Sequence, residues 1–294
     1  MTDIKLSSIE LSNGESLNYR KKEEKNLLLI HGNMNSSKNW DLLMENMPQG
    51  YNIYAVDLRG FGNSTYNNEI ESIKDFSDDL KLFVDKLQLK DFIIMGWSAG
   101  GAVAMQFCID YQDYVDKLIL LGSCSIKGFP LRKGGEYIKT KEDMAKHLNL
   151  ILKMYKLKDK FLLDKTVKWF CKKFYESFLY AVDKPPEARY SDYIDEMLKQ
   201  RNLVDINYAL GYFNISHEHN GIIEGTGEVD KIKVPTLIIQ GDKDELVTMD
   251  MAKGNLEGIG DNARLAIIEG VGHFPVIESP DRLIELVVDF IEEE

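Results

Sequence analysis

Cysteine is scarce in this chain of 294 residues, and the three present, Cys108, Cys124 and Cys171, are odd in number and irregularly spaced. That argues against a disulfide framework and predicts free thiols in a reducing compartment. No apolar run approaches the roughly 20 residues that a bilayer-spanning helix needs. The opening residues, Met1 to Ser8, hold neither an apolar core nor a small-residue cleavage pattern. Together these absences predict a cytoplasmic protein without membrane insertion. Positive charge is also in deficit, with 36 basic residues against 48 acidic ones and a formal net charge of -12. Such a field repels phosphate backbones and anionic surfaces, which makes nucleic acid a poor partner. Repeats and low-complexity stretches are missing as well. With 44% hydrophobic and 29% charged residues, the composition is that of a folded domain. The length allows one large domain, or a core with a sizeable insertion.

What is present begins with short apolar runs closed by turn residues. Leu27 to Ile30, Ile53 to Val56, Phe92 to Met95, Leu118 to Leu121, Thr236 to Ile239 and Leu265 to Ile268 read as strands. Runs so uniformly apolar predict strands covered on both faces, hence a parallel sheet. Helical patterns alternate with them. Ser72 and Asp75 form a capping-box signature before Phe76, Leu80, Phe83, Val84 and Leu87 on one face. Ser279 and Pro280 open a final helix with the stripe Leu283, Ile284, Val287 and Ile291. The alternation predicts an α/β fold, with ligands at the carboxyl ends of the strands.

Between Cys124 and Ile232 the alternation stops, and only helical periodicity remains. Met144, Leu148, Ile151, Leu152 and Tyr155 share one helical face, which Thr140 and Asp143 could cap. Phe170, Phe174 and Phe178 form a second stripe; Ile194, Met197 and Leu198 form a third. These patterns predict a core made of residues 1–123 and 233–294, with a helical cap over 124–232 laid across the strand ends.

The chemistry centres on Gly96-Trp97-Ser98-Ala99-Gly100, which follows a strand and opens a helix running to about Ile109. That context is the one a nucleophile elbow requires, because the serine must sit on a sharp turn above the sheet. Glycines two residues to either side let strand and helix backbones meet, and Gly101 extends the contact. A serine hydroxyl needs a positioned imidazole to take its proton. Five histidines are available. His273 lies after the last strand, on the same sheet edge as Ser98, and is the predicted base. His31, at another strand end, suits a loop-shaping role, and His147 lies on a helix of the insertion. His217 and His219 stand at i, i+2 without further ligands, so no metal site is predicted. The orienting acid should fall between serine and histidine in the chain. Asp242, Asp244 and Glu245 compete, all just after the Thr236 strand. Asp244 is far enough along the loop to turn back toward His273, whereas Asp242 would bond local amides in the tight turn. The loop after the preceding strand, Gly122 to Gly128, carries no carboxylate. An oxyanion needs two backbone donors. The amides of Ala99, after the nucleophile, and of Asn33, after His31-Gly32, are the candidates. Arg59, Gly60 and Gly62 in Asp57 to Ser64 read as loop-shaping residues.

Taken in order, His31-Gly-Asn-Met, Asp57-Leu-Arg-Gly-Phe-Gly-Asn-Ser64, Gly96-Trp-Ser-Ala-Gly100, Gly241-Asp-Lys-Asp244 and Gly272-His273 resemble the α/β-hydrolase superfamily over essentially the whole chain. The resemblance implies an eight-stranded, mostly parallel sheet with a helical cap inserted after the sixth strand. Within that superfamily the chain is similar to Bacillus-type intracellular poly(3-hydroxybutyrate) depolymerases. The stretches that carry this are Gly96 to Phe107, Gln200 to Leu210 and Phe213 to Gly221, with Ala99 where a larger residue such as threonine or methionine is expected. This resemblance implies hydrolysis of 3-hydroxybutyrate oligomers or the polymer. The residues by themselves imply only acyl transfer to water, and the leading reading of them is a cofactor-independent carboxylic ester hydrolase working on a small or oligomeric ester. A C–C bond hydrolase of dienoate ring-cleavage products, or a perhydrolase-type haloperoxidase, would use the same triad. A non-catalytic scaffold would be expected to have lost part of it. Epoxide hydrolases and haloalkane dehalogenases of this fold need a carboxylate where Ser98 stands.

Overall fold

The computed structural model describes residues 5–22, 24–157 and 161–293. Its chain begins with β1 (Lys5–Glu10), β2 (Ser16–Lys22), β3 (Glu24–Ile30), α1 (Asp41–Asn46) and β4 (Gly50–Val56). It continues through α2 (Ile73–Lys86), β5 (Phe92–Trp97), α3 (Ala99–Asp110) and β6 (Val115–Leu121). Next come a two-residue ribbon, β7 (Arg132–Lys133) with β8 (Glu136–Tyr137), and five helices. These are α4 (Lys141–His147), α5 (Asn149–Leu157), α6 (Phe161–Phe178), α7 (Glu187–Met197) and α8 (Leu203–Tyr212). The sheet resumes with β9 (Thr236–Gly241), α9 (Met249–Ile259) and β10 (Ala263–Ile268), followed by α10 (Pro275–Glu278) and α11 (Pro280–Glu292).

Eight strands form one sheet in the order β1-β2-β4-β3-β5-β6-β9-β10. The pairs β1–β2 and β2–β4 are antiparallel, and all the others are parallel. The eight-stranded, mostly parallel sheet expected from the sequence is therefore present, as are all six strands read from apolar runs. Central strands are buried throughout: no residue of β5 or β9 is more than slightly exposed. One face is covered by α2 and α3, through residues such as Phe76, Phe83, Val103 and Phe107. The other is covered by α1 and α11, through Met44, Leu283, Val287 and Phe290. The last strand departs from the expectation of two-sided burial. Being the sheet edge, β10 leaves Ile267 46% exposed.

The helix ends follow local chemistry. Asp75 accepts the Ser72 amide at 2.8 Å, closing the capping box at the start of α2. Thr140 Oγ1 accepts the Asp143 amide at 3.0 Å, capping α4. Two expectations for the insertion need correction. Met144 to Tyr155 is not one helix, because the chain breaks at Leu148 between α4 and α5. The Phe170 stripe is contradicted at the one residue of it whose side chain is described. Phe170 is 36% exposed, and the side chains of Phe174 and Phe178 lie outside the described residues. The buried face is Val167, Cys171, Tyr175 and Leu179, the same four-residue spacing one position further on. Ile194, Met197 and Leu198 are buried as expected.

Strand order places the site. The chain runs from β3 to β4 on one side and returns to β5 on the other, so β3 and β5 flank the point where the order reverses. Open parallel sheets form a crevice there, outside the carboxyl ends of the strands. The loop after β3 and the turn after β5 both open into it.

Candidate active site

Ser98 sits at φ 56°, ψ -121°, a conformation that a residue with a Cβ rarely adopts. The surroundings hold it there. Its amide donates to Leu121 O at 3.1 Å, and its carbonyl accepts the amides of Gly101 (2.9 Å) and Cys124 (3.0 Å). The flanking glycines are demanded by sterics. A Cβ on Gly96 would lie 2.3 Å from Gly100 O, and one on Gly100 would lie 2.3 Å from Ile30 O. The strand, the turn and α3 can close around Ser98 only because neither position carries a side chain.

His273 lies on the loop between β10 and α10 and is 1% exposed. Its Nδ1 and Asp244 Oδ2 are 2.7 Å apart, with both side chains buried. The Asp244 carboxylate is held in turn by three donors. Oδ1 accepts the amides of Leu246 (2.9 Å) and Val247 (2.8 Å), and Oδ2 accepts Gln240 Nε2 (3.2 Å). A carboxylate so supplied is fixed in orientation and keeps the imidazole in one tautomer, with Nδ1–H toward the acid and Nε2 free. Gly122, at the end of β6, leaves room for this pair; a Cβ there would stand 3.3 Å from Asp244 Oδ2. Trp97 supports the histidine loop from below, donating Nε1 to His273 O at 2.9 Å and stacking on Phe274 at 4.2 Å.

Asp242 is not beside His273. Its Oδ1 accepts the Gly270 amide at 2.6 Å, which ties the loop after β9 to the loop after β10. That reach across to a neighbouring loop differs from the local turn bonding expected of it. Glu245 is exposed.

Ser98, His273, Asn33 and Ala99 all line one cavity of about 220 Å³, and no direct hydrogen bond joins Ser98 to His273 in this conformation. Such contacts are often looser in unliganded sites. The Ala99 amide opens α3, where a helix has no internal acceptor for its first donors. Asn33 precedes Met34, which sits at φ 60° and turns the loop back over the crevice. Most of the remaining lining is apolar, from Met34, Cys124, Phe129, Leu131, Leu148, Ile151, Leu179, Leu203, Leu210, Leu246 and Val247. Tyr175, Asn35 and Asn207 add neutral polar groups, and no charged side chain is among the described residues of the lining.

Sequence reading missed the residues that reach the Asn33 loop from the helices after β6. Gln200, between α7 and α8, donates to Asn33 Oδ1 at 2.9 Å. The Tyr175 hydroxyl meets Met34 O and lies 2.9 Å from Asn35 Oδ1, while Asn35 Nδ2 donates to Asn33 O at 2.7 Å. These helices thus hold the strand-end loop as well as covering the cavity. The four-residue spacing of Val167, Cys171 and Tyr175 was a readable signal for Tyr175. Gln200 left none.

The remaining histidines lie elsewhere. His147 is exposed, His217 pairs with Asp230 at 3.0 Å on the surface, and His219 is exposed. No cluster that could hold a metal occurs among the described residues. His31 is fully buried; its Nδ1 donates to Gly32 O at 2.7 Å and its Nε2 accepts the Leu58 amide at 3.1 Å, joining the loops after β3 and β4. Asp57 and Arg59 complete that scaffold. Asp57 accepts the Ser37 amide at 2.7 Å, and Arg59 pairs with the buried Asp79. Burial holds the His31 imidazole below its ordinary pKa despite the nearby Asp57, so the folded protein keeps it neutral. The unfolded chain binds this proton near pH 6.5, so stability from this site is intact above that pH and falls as pH drops below it. His31→Gln is expected to flatten the dependence of the urea midpoint on pH between about 6.5 and 5, relative to the wild type. Parallel pH profiles for the two proteins would refute the assignment.

Residues 25–280 match the family model described as alpha/beta hydrolase fold. The chain belongs to the α/β-hydrolase family. It is 30% identical over 270 residues to the AB hydrolase superfamily protein YisY of Bacillus subtilis, covering 90% of each chain. It is 25% identical over 275 residues to a 2-hydroxy-6-oxononadienedioate/2-hydroxy-6-oxononatrienedioate hydrolase of Pseudomonas, covering 90% of this chain and 87% of the other. The solved structure of an esterase from Exiguobacterium antarcticum superposes with a TM-score of 0.75 at 21% identity, covering 98% of this chain and 99% of the other.

Proposed function

We propose that this member of the α/β-hydrolase family is a serine hydrolase that cleaves neutral carboxylic esters through an acyl-enzyme. The reading rests on one observation above all: His273, paired with the buried Asp244, lines the same largely apolar cavity as the strained Ser98, and no charged side chain is among the described residues of that lining. Ser98 Oγ attacks the ester carbonyl as His273 Nε2 takes its proton, and the amides of Asn33 and Ala99 receive the oxyanion. His273 returns that proton to the departing alcohol. Water, deprotonated by His273, then releases the acid and restores Ser98. Residues 124–232 act as a helical cap that supplies most of the cavity's apolar wall.

For the substrate we favour 3-hydroxybutyrate oligomers or the intracellular polymer. The support is the resemblance carried by Gln200 to Leu210, since Leu203, Asn207 and Leu210 of that stretch face the cavity. The three buried, unpaired cysteines suit a reducing, cytoplasmic setting. The dienoate reading suits this cavity less well. Such substrates are carboxylates, and burying one without a cation is costly. The same triad would also serve a perhydrolase-type reaction.

The test is a panel of p-nitrophenyl acyl esters, 3-hydroxybutyrate dimers and trimers, and a dienoate, with a fluorophosphonate to label the nucleophile. Labelling at Ser98 is expected, with kcat/KM on the esters at least about a hundredfold above that on the dienoate. The reverse ranking would overturn the ester reading, and labelling elsewhere would overturn the nucleophile.

A further inference from the structure

The acidic net charge hides a basic segment. Residues 149–178, spanning α5 and α6, carry eight lysines against two aspartates and one glutamate, an excess of five positive charges in a chain whose formal net charge is -12. The two helices pack on each other, and their inner faces close the cavity through Ile151, Tyr175 and Leu179. Their outer faces carry the large apolar side chains that are not buried. Leu150 is 61% exposed on α5, and Trp169 and Phe170 are 60% and 36% exposed on α6. Lysines frame them. Lys153 and Lys156 are exposed on α5, and Lys165 on α6 stands one turn before Trp169. None of these three lysines has a carboxylate partner among the described residues, whereas Lys168 and Lys172 are tied to Asp195 and Glu187 of α7 and Lys173 to Glu176 of its own helix.

We propose that the outward face of α5 and α6 docks this protein onto an anionic lipid surface. Charge decides the sign of the partner, because a local positive field within an acidic chain attracts anions to this face. The apolar residues decide its kind. A soluble anion gains nothing from an indole and a phenyl ring on a convex helix face, whereas a bilayer interface accepts Trp, Phe and Leu among its headgroups and lysine ammoniums beside its phosphates. The protein would lie on the surface and not span it, as no helix among the described residues is long and apolar enough to cross a membrane. The proposal is independent of the catalytic reading.

The molecule carries its own reporter. Of its three tryptophans, Trp40 and Trp97 are fully buried, so a change in emission on docking comes from Trp169. Full-length protein is mixed with vesicles of phosphatidylglycerol and phosphatidylcholine, or of phosphatidylcholine alone, and followed by flotation and tryptophan emission. Binding with a blue shift is expected only on the anionic vesicles, reversed by high salt. Each lysine near such a surface contributes about fivefold, so the triple variant Lys153→Gln, Lys156→Gln, Lys165→Gln should partition about a hundredfold less. Its turnover of a soluble ester should match the wild type, which also shows that it folds. Trp169→Ala should weaken flotation and remove the blue shift. Equal binding to both vesicle types, or unchanged flotation of the triple variant, would overturn the proposal. So would a blue shift that follows protein concentration without vesicles, since that would make a second copy the partner.

Discussion

Replacing Ser98 by alanine is expected to lower kcat on a short acyl ester by about a millionfold, with little change in stability. The size follows from what the hydroxyl does in the proposed reaction. Without Oγ no acyl-enzyme forms, and only the oxyanion amides and substrate positioning remain to assist direct attack by water. The fold should not suffer. The strain at φ 56° belongs to the backbone and is borne equally by alanine, and the contacts that hold the turn are made by the amide and carbonyl of residue 98. The measurement is burst and steady-state kinetics beside a urea melt. A variant turning over within an order of magnitude of the wild type, free of contaminating esterase, would sink Ser98 as nucleophile.

The second large effect is expected at Asp244, where asparagine should cost about 10⁴-fold in kcat at nearly full stability. Both carboxylate oxygens of Asp244 act only as acceptors, from two backbone amides on one side and from His273 and Gln240 on the other. An amide side chain must offer NH₂ to one of those sides. Keeping its oxygen on the backbone amides turns the NH₂ toward His273 Nδ1, which must then be unprotonated. The ring proton moves to Nε2, where it blocks the acceptance of a proton from Ser98. Asp242→Asn serves as the control. Its carboxylate is bonded to Gly270 at the surface, away from the imidazole, so kcat should stay within about tenfold. If the Asp242 variant proved the slower enzyme, the roles given to the two aspartates would have to be exchanged.

These two residues mark how far the sequence reaches. The elbow was legible because everything it needs is local: an apolar strand, a serine between two spaced glycines and an apolar helix, all within about twenty residues. Five of the six strands read from apolar runs were legible for the same reason, since two-sided burial writes itself into consecutive side chains. The antiparallel β1 and β2 escaped residue-level reading because they lie at a sheet margin, where half-exposed strands such as KLSSIE carry no continuous apolar run. For β10 the opposite happened, its apolar run being partly exposed at the other edge. Between β6 and β9, periodicity announced helices but not their phase: the stripe read through Phe170 leaves that residue 36% exposed, whereas Tyr175 and Leu179 line the cavity.

By itself, then, the sequence determined the six apolar strands and the serine's turn, because each depends on neighbours along the chain. The loop length favoured Asp244 over Asp242 as the partner of His273, and the structure has Asp244 there; tertiary structure alone decided that Gln200 and Tyr175 grip the loop of Asn33, and that the described cavity lining holds no charged side chain. Those outcomes depend on how loops from distant strands converge, at separations of 29 residues for the acid and 167 for Gln200. Local pattern has no term for such distances. The pairing of β9 with β10 sets the first, and the packing of the helices after β6 onto the strand ends sets the second.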